Sequence, residues 1–343
     1  MKDEAIWKDI GVISKNVQCS YIKTFKATDS RNIFSIYRML QEIKDFNPDI
    51  IDLRAGNPWM IILFPLLRKY PIISTFVTSN PRAGEKELIH YRLYSYITKK
   101  YSDHLIVFDS FSKDDISSNY SVSPSKISII PIGDYTGVFT SMKTNIMSNL
   151  DENEHKFILF LGRIVAYKGL EFLIKAEPAI TKEVPDAKII IAGPCDDFSY
   201  YENLMINKDS FIVYNSWIEG EKIHDLFSKS NVVVLPYIEY SKSDNIQLAY
   251  AFKKPIVATQ LGSVSEYILD GRTGYLVPPM DIEALSDAII KILNNPDLAK
   301  DMGENGFEIL KRGFISWPNI ISQTTDIYSN LSNKDNDPSE YIV

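Results

Sequence analysis

KFILFLGRIVAYKGLEFLIKA, residues 156–176, changes its apolar period at a glycine. Residues 156–162 are almost wholly apolar and end in Gly162, the pattern of a strand covered on both faces in a parallel sheet. From Gly169 onward Leu170, Leu173, Ile174 and Ile180 fall close to helical spacing, and Pro178 predicts a kink or an early end. The turn from strand to helix holds Arg163 and Lys168. Helix N-termini present backbone N–H groups and the positive end of the dipole, and open α/β sheets bind ligands beyond the carboxyl ends of their strands. The two cations therefore read either as a phosphate or diphosphate clamp or as solvated loop residues, and this stretch alone leaves both open.

Working outward, the same rhythm repeats. Strands AKIIIAG, FIVYN, NVVVLPY, PIVAT and GYLVPP follow, separated by helix-length segments, with helices at 281–294, at 297–312 and after FISWP. Upstream, helix 31–45, strand DIIDL, helix PWMIILFPLLRK, strand PIISTFV, helix 85–100, strand HLIVF, helix 112–120 and strand KISIIPI alternate in the same way. Between them GDYTGVFTSMKTNIMSNLDENEHK is polar and aperiodic. This predicts an α/β chain of two Rossmann-like domains facing a cleft, 1–145 and 146–315, with helix 316–331 crossing back to the first and a disordered tail at 332–343. No G-x-G-x-x-G occurs, which argues against a dinucleotide dehydrogenase.

Composition agrees. The 343 residues suit two domains, and 45% hydrophobic content allows real cores. Cys19 and Cys195 form neither a disulfide framework nor a metal spacing, which points to a reducing cytoplasm. MKDEAIWKDI has no apolar signal-peptide core, and PWMIILFPLL is about half a membrane span. The expectation is a cytoplasmic protein, soluble or peripheral at the inner face of the membrane. The net charge of −7 is uneven: residues 1–145 carry 19 basic against 15 acidic residues, and the remainder 18 against 29. The first half is thus the side expected to face phosphate or anionic lipid; nothing suggests a nucleic-acid partner.

LGRIVAYKGLEFLIKA, IIIAGP, NVVVLPYIEYSKSDNIQLAYAFKKPIVAT and SVSEYILDGRTGYLVPP, in this order and spacing, resemble the GT-B glycosyltransferases of the retaining family four, over residues 45–331 and more strongly in the second half. The resemblance implies a glycosyltransferase of cell-surface polysaccharide or glycoconjugate assembly. Its second domain would bind a UDP- or GDP-sugar, with Arg163 and Lys168 on the diphosphate, and its acceptor would be a glycan or lipid-linked glycan. Cations that meet charge building on the leaving nucleotide lower the barrier, so no metal or other cofactor is expected. The turn Ser243, Asn245 and Ile246 is implied to approach the same diphosphate, and Trp217 lies near where relatives hold the base, although a packed loop aromatic is the preferred reading of it.

The chain also departs from that pattern. Two glutamates, separated by seven intervening residues in many members, are Tyr240 and Leu248 here, and a glycine of the turn is Asp244. Asp244 or Glu239 could bond sugar or ribose hydroxyls; the preferred reading of Asp244 is a helix cap. Histidines that often end strands of the first domain are replaced by Asp52, Val77, Phe108 and Ile132. The first domain is expected to be incomplete, and the catalytic residue is not identified. On the acceptor side, GNPW and SNPRAGE offer Asn57, Asn80, Arg82 and Glu85. In KELIHYRLYSYITKK, core-packed tyrosines with a solvated basic edge are preferred to a membrane-resting face. Glu266 and Gly274 read as structural. The alternative to an active transferase is a GT-B partner subunit or decayed enzyme that still binds nucleotide.

Overall fold

The computed structural model describes residues 20, 22–25, 29–54, 62–76, 96–134, 136–141, 151, 154–239 and 243–332. The chain divides into two compact units, Met1–Ser74 with Glu87–Asp103, and Thr75–Lys86 with His104–Val343.

In the first unit, helix α1 (Asn32–Phe46) precedes strand β1 (Ile51–Leu53), and short helix α2 (Leu63–Leu66) precedes β2 (Ile72–Thr75). The strands pair in parallel, Ile51 opposite Ile72 and Leu53 opposite Ser74. Ile36 and Leu40 of α1 pack with Leu63, Phe64, Leu67 and Ile72. The helix expected over 58–69 is reduced, among the described residues, to Leu63–Leu66. The chain turns at Leu67–Tyr70 to feed β2, and Pro71 cannot extend a helix. A second expectation is corrected at residues 96–101, which are helical. Here Tyr96 is exposed and Lys99 is buried, contrary to a core tyrosine and a solvated lysine, whereas Lys100 is exposed as expected and Tyr91, Arg92 and Tyr94 lie outside the described residues. Thr98, Lys99 and Ser102 turn inward, while Tyr96 and Lys100, four apart, share the outer face.

The second unit opens with β3 (His104–Val107), α3 (Ser110–Tyr120), β4 (Ile127–Ile129) and α4 (Gly137–Thr140). Strands β3 and β4 pair in parallel. Then come β5 (Lys156–Leu161), α5 (Leu170–Glu183), β6 (Ala187–Ala192), α6 (Ser199–Leu204), β7 (Phe211–Tyr214), α7 (Gly220–Lys229) and β8 (Val232–Leu235). The series ends with α8 (Asn245–Ala251), β9 (Ile256–Thr259), α9 (Gly262–Tyr267), β10 (Gly274–Val277), α10 (Ile282–Leu293), α11 (Pro296–Arg312) and α12 (Trp317–Ser332). Strands β5 to β10 form one parallel sheet in the order β10-β9-β8-β5-β6-β7.

Continuous apolar runs form these strands because both faces are covered. Ile158, Phe160, Ile189, Ile191, Val232 and Val234 pack on one side with α5 and α10, whereas Phe157, Leu159, Ile190, Val233 and Leu235 pack on the other with α8. Each fully buried side chain of this size contributes about 1.5–3 kcal/mol. The same term explains why α5 runs on past Pro178 rather than ending early. Ile180, fully buried beyond the proline, offsets the hydrogen bond that Pro178 cannot donate.

Candidate functional site

The strand order reverses between β5 and β8, and such a switch point opens a crevice beyond the carboxyl ends of the strands. The turns leaving β5, β6 and β7 are stitched into one shelf there. Gly162 N–H donates to Ala192 O (2.9 Å), Ile164 N–H to Pro194 O (2.9 Å), Gly193 N–H to Tyr214 O (3.0 Å) and Cys195 N–H to Asn215 Oδ1 (2.7 Å). Across the switch, Ile238 N–H donates to Tyr167 O (2.9 Å), which ties the 163–169 loop to the segment after β8. Gly169, with φ +65°, is required in this contact, since a Cβ there would lie 1.9 Å from Pro236 O.

Arg163 and Lys168 stand on this shelf. Arg163 is exposed, and among the described residues its side chain has no hydrogen-bond or ion-pair partner. Lys168 ends the 3₁₀ turn Ala166–Lys168 and folds its ammonium back over the end of β5. Its Nζ lies 2.7 Å from where a Cβ on Gly162 would be and 5.3 Å from the centre of the Tyr237 ring. An aromatic face attracts a cation. The N-terminus of α5 opens on the same edge, with Glu171 of its first turn held by the Tyr200 hydroxyl. The arrangement gathers positive charge at a strand edge and can hold an anion.

The 243–246 turn is organised by its side chains. Asn245, buried, donates from Nδ2 to Leu161 O (2.7 Å) and pins the start of α8 to the end of β5. The Ser243 and Tyr237 hydroxyls lie 2.8 Å apart. Ile246, in the first turn of α8, is buried in the apolar core. Asp244 occupies the N-cap position of α8, but its side chain makes no capping hydrogen bond, which corrects the capping reading. Its backbone is already helical, φ −70° and ψ −16°, rather than in the extended geometry that aims a cap side chain at the second or third N–H. Glu239 and Asp244 are exposed. Leu248, at one of the two positions where the family resemblance implies a glutamate, is 5% exposed in the apolar core. Trp217 follows β7 and is 80% exposed. Asn57, Asn80, Arg82 and Glu85 lie outside the described residues, as does Tyr240.

The loops past β3 and β4 meet this edge within the second unit. Glu266 accepts from Ser110 N–H (3.1 Å) and Ser110 Oγ (2.6 Å), and the Tyr267 hydroxyl donates to Phe108 O (3.0 Å). Gln247, which sequence reasoning passed over, donates from Nε2 to Ile132 O (2.6 Å). A polar residue inside the apolar run NIQLAYAF was the signal available. Next along, Asp134 accepts from Thr136 and from Lys311 Nζ (2.7 Å), while its carbonyl accepts from Trp317 Nε1 (2.7 Å). Burial opposes the charged form of Asp134, yet the bonds from Lys311 and Thr136 outweigh it and hold the carboxyl below the ordinary carboxylate range. The Trp317 ring covers Gly133, where a Cβ would lie 2.8 Å from the indole carbons. Among the described residues no three His, Cys, Asp or Glu side chains gather as a metal site, and no helix is long and apolar enough to cross a membrane.

Residues 142–309 match the family Glycosyl transferases group 1, and residues 17–133 match Glycosyltransferase Family 4. An uncharacterized glycosyltransferase of Methanocaldococcus jannaschii is 26% identical over 242 residues, 68% of this chain and 61% of that protein. The alpha-D-kanosaminyltransferase of Streptomyces kanamyceticus is 29% identical over 155 residues, 45% of this chain and 40% of that one. The chain spans about half the length of the curated relatives it matches. In fold it is similar to Anabaena HepE, solved in complex with UDP-glucose, at TM-score 0.69 and 14% identity over 91% of this chain and 85% of that one.

Proposed function

Because the chain belongs to the group 1 glycosyltransferases of GT-B fold, we propose that it moves a sugar, a hexose in our reading, from a nucleotide-sugar to a glycan or lipid-linked glycan acceptor. The observation that carries this is the Lys168 ammonium set over Gly162 and Tyr237 at the switch point, with Arg163 beside it on the same loop. Breaking the bond from sugar to diphosphate builds negative charge on the leaving nucleotide. Cations already fixed at that place stabilise the transition state without reorganising, and they take the role a divalent ion plays elsewhere. A UDP- or GDP-sugar suits the clamp equally; the UDP-glucose bound to the structural neighbour favours uridine. Trp217 is the candidate neighbour of the base, and Glu239 and Asp244 are candidates for the sugar or ribose hydroxyls. The domain of residues 146–315 is then the donor side and 1–145 the acceptor side, where Asn57, Asn80, Arg82 and Glu85 would act. The positive balance of residues 1–145 suits an acceptor carrying phosphate or lying at the inner face of a membrane, in polysaccharide or glycoconjugate assembly. Retention of configuration follows from the family resemblance.

A second reading, nucleotide binding without turnover, is favoured by Leu248, an aliphatic side chain in the core where relatives carry a carboxylate. Titration calorimetry with UDP and GDP, run beside donor turnover, separates the two. Arg163→Ala and Lys168→Ala should each weaken binding by about 1.5–3 kcal/mol, the range for a charge-assisted hydrogen bond. Unchanged affinity in both removes the clamp; binding without hydrolysis or transfer selects the second reading.

A further inference from the structure

Gln247 is 4% exposed, and its Nε2 donates to Ile132 O at 2.6 Å. That bond fixes which way the carboxamide lies, because only the NH₂ end can face a carbonyl. The other end, Oε1, is buried and has no hydrogen-bond partner among the described residues. Leaving an amide oxygen dry and unsatisfied costs folding free energy, and such an atom calls for an explanation.

Its surroundings supply one. Gln247 lies in the first turn of α8, the helix that follows β8, and Ile132 lies just past the carboxyl end of β4. Two residues earlier Asn245 holds the carbonyl of Leu161, the last residue of β5, and the Lys168 ammonium lies over the next residue, Gly162. The orphaned oxygen thus sits among strand ends at the edge where parallel sheets take their ligands. A cationic loop attracts phosphate oxygens, but a diphosphate has only acceptors to offer at neutral pH and cannot satisfy an amide oxygen. A hydroxyl can.

We propose that Gln247 Oε1 accepts a hydrogen bond from a hydroxyl of the bound nucleotide-sugar and makes this residue a determinant of donor specificity. The inference rests on the donor reading above. Hydroxyls of the ribose and of the transferred sugar share the chemistry required.

The test is calorimetry on the unmodified protein, Gln247→Met and Gln247→Glu. The ligands are UDP and GDP, their 2′- and 3′-deoxy forms, and UDP-glucose with its singly deoxygenated sugar analogues. One neutral hydrogen bond predicts that the unmodified protein binds the relevant hydroxyl ligand roughly threefold to tenfold more tightly than its deoxy form. In Gln247→Met that ratio should fall to about one, as expected when the acceptor is gone, while Gln247→Glu keeps an acceptor oxygen and keeps the preference. Loss of the Ile132 bond alone would shift every ligand together and leave the ratio intact. Discrimination among the bare nucleotides places the hydroxyl on ribose; discrimination only among the UDP-glucose analogues places it on the transferred sugar. A ratio in Gln247→Met equal to that of the unmodified protein overturns the proposal and leaves the donor reading standing. Failure of the unmodified protein to bind any of these ligands overturns the donor reading itself. Should the variants fail to fold, the ¹³C resonance of the Gln247 carboxamide in unmodified protein should move with the hydroxyl ligand and not with its deoxy form; equal movement with both overturns the proposal.

Discussion

Gly193→Ala should lower both the stability of the protein and its hold on the donor, and the structure says by how much. Gly193 has φ +147°, and a Cβ built on it would lie 2.1 Å from Gly162 O, 2.6 Å from Gly162 C and 3.3 Å from Arg163 N. A backbone conformation open essentially to glycine alone costs another residue about 1–3 kcal/mol. Overpacking by one methyl in a close-packed contact adds about 1–3 kcal/mol. The two together give about 2–6 kcal/mol, and a central value of about 4 kcal/mol corresponds, for a unit of this size, to a fall in Tm of roughly 8–16 °C. Relief of the clash must displace the Gly162–Arg163 turn by about 1 Å, which takes Arg163 out of register and should weaken UDP binding by up to about 1.5–3 kcal/mol, the range for one charge-assisted hydrogen bond. Scanning calorimetry with UDP titration measures both effects. Gly137→Ala, where nothing lies within 4 Å of the added methyl, is the control and should stay within about 0.5 kcal/mol of the unmodified protein. A Gly193→Ala protein with unchanged Tm and unchanged nucleotide affinity would refute the claim that the turns after β5 and β6 form one rigid shelf.

Asp244→Asn removes an exposed negative charge from the turn before α8, so UDP binding should tighten at low salt; weaker binding in a folded variant shows the carboxylate to be a ligand. Leu248→Glu, which restores the residue relatives carry, buries a charge in an apolar core and should cost about 3 kcal/mol or more, read by urea unfolding; a neutral result would show that this position opens to solvent. The depressed carboxyl of Asp134 contributes stability above its unfolded value that is lost as pH falls through its folded one. Asp134→Asn should therefore be less stable than the unmodified protein at neutral pH and draw level with it in acid; a gap that does not close would assign the effect to packing.

The six-stranded sheet was legible because strands buried on both faces leave runs such as FILFL and VVVL, which few other structures accommodate. The Arg163 and Lys168 loop was legible for a related reason: a glycine ends the run and helical spacing resumes at Leu170. What could not be read were destinations that depend on distant chain. Asn245 bonds a carbonyl 84 residues away and Gln247 one 115 residues away, and no local pattern encodes either. Local propensity misled at Asp244, where an already helical backbone decided the outcome, and at Pro178 the alternative of an early end gave way to burial of Ile180.

The indole of Trp317 resting on the bare α-carbon of Gly133 has a consequence in descent. The two positions are far apart in the gene, yet the space one leaves is the space the other fills. A methyl at 133 requires the ring at 317 to shift or to give way to a smaller side chain, so a change at one position alters what the other tolerates. The two positions are therefore expected to change together in descent rather than singly.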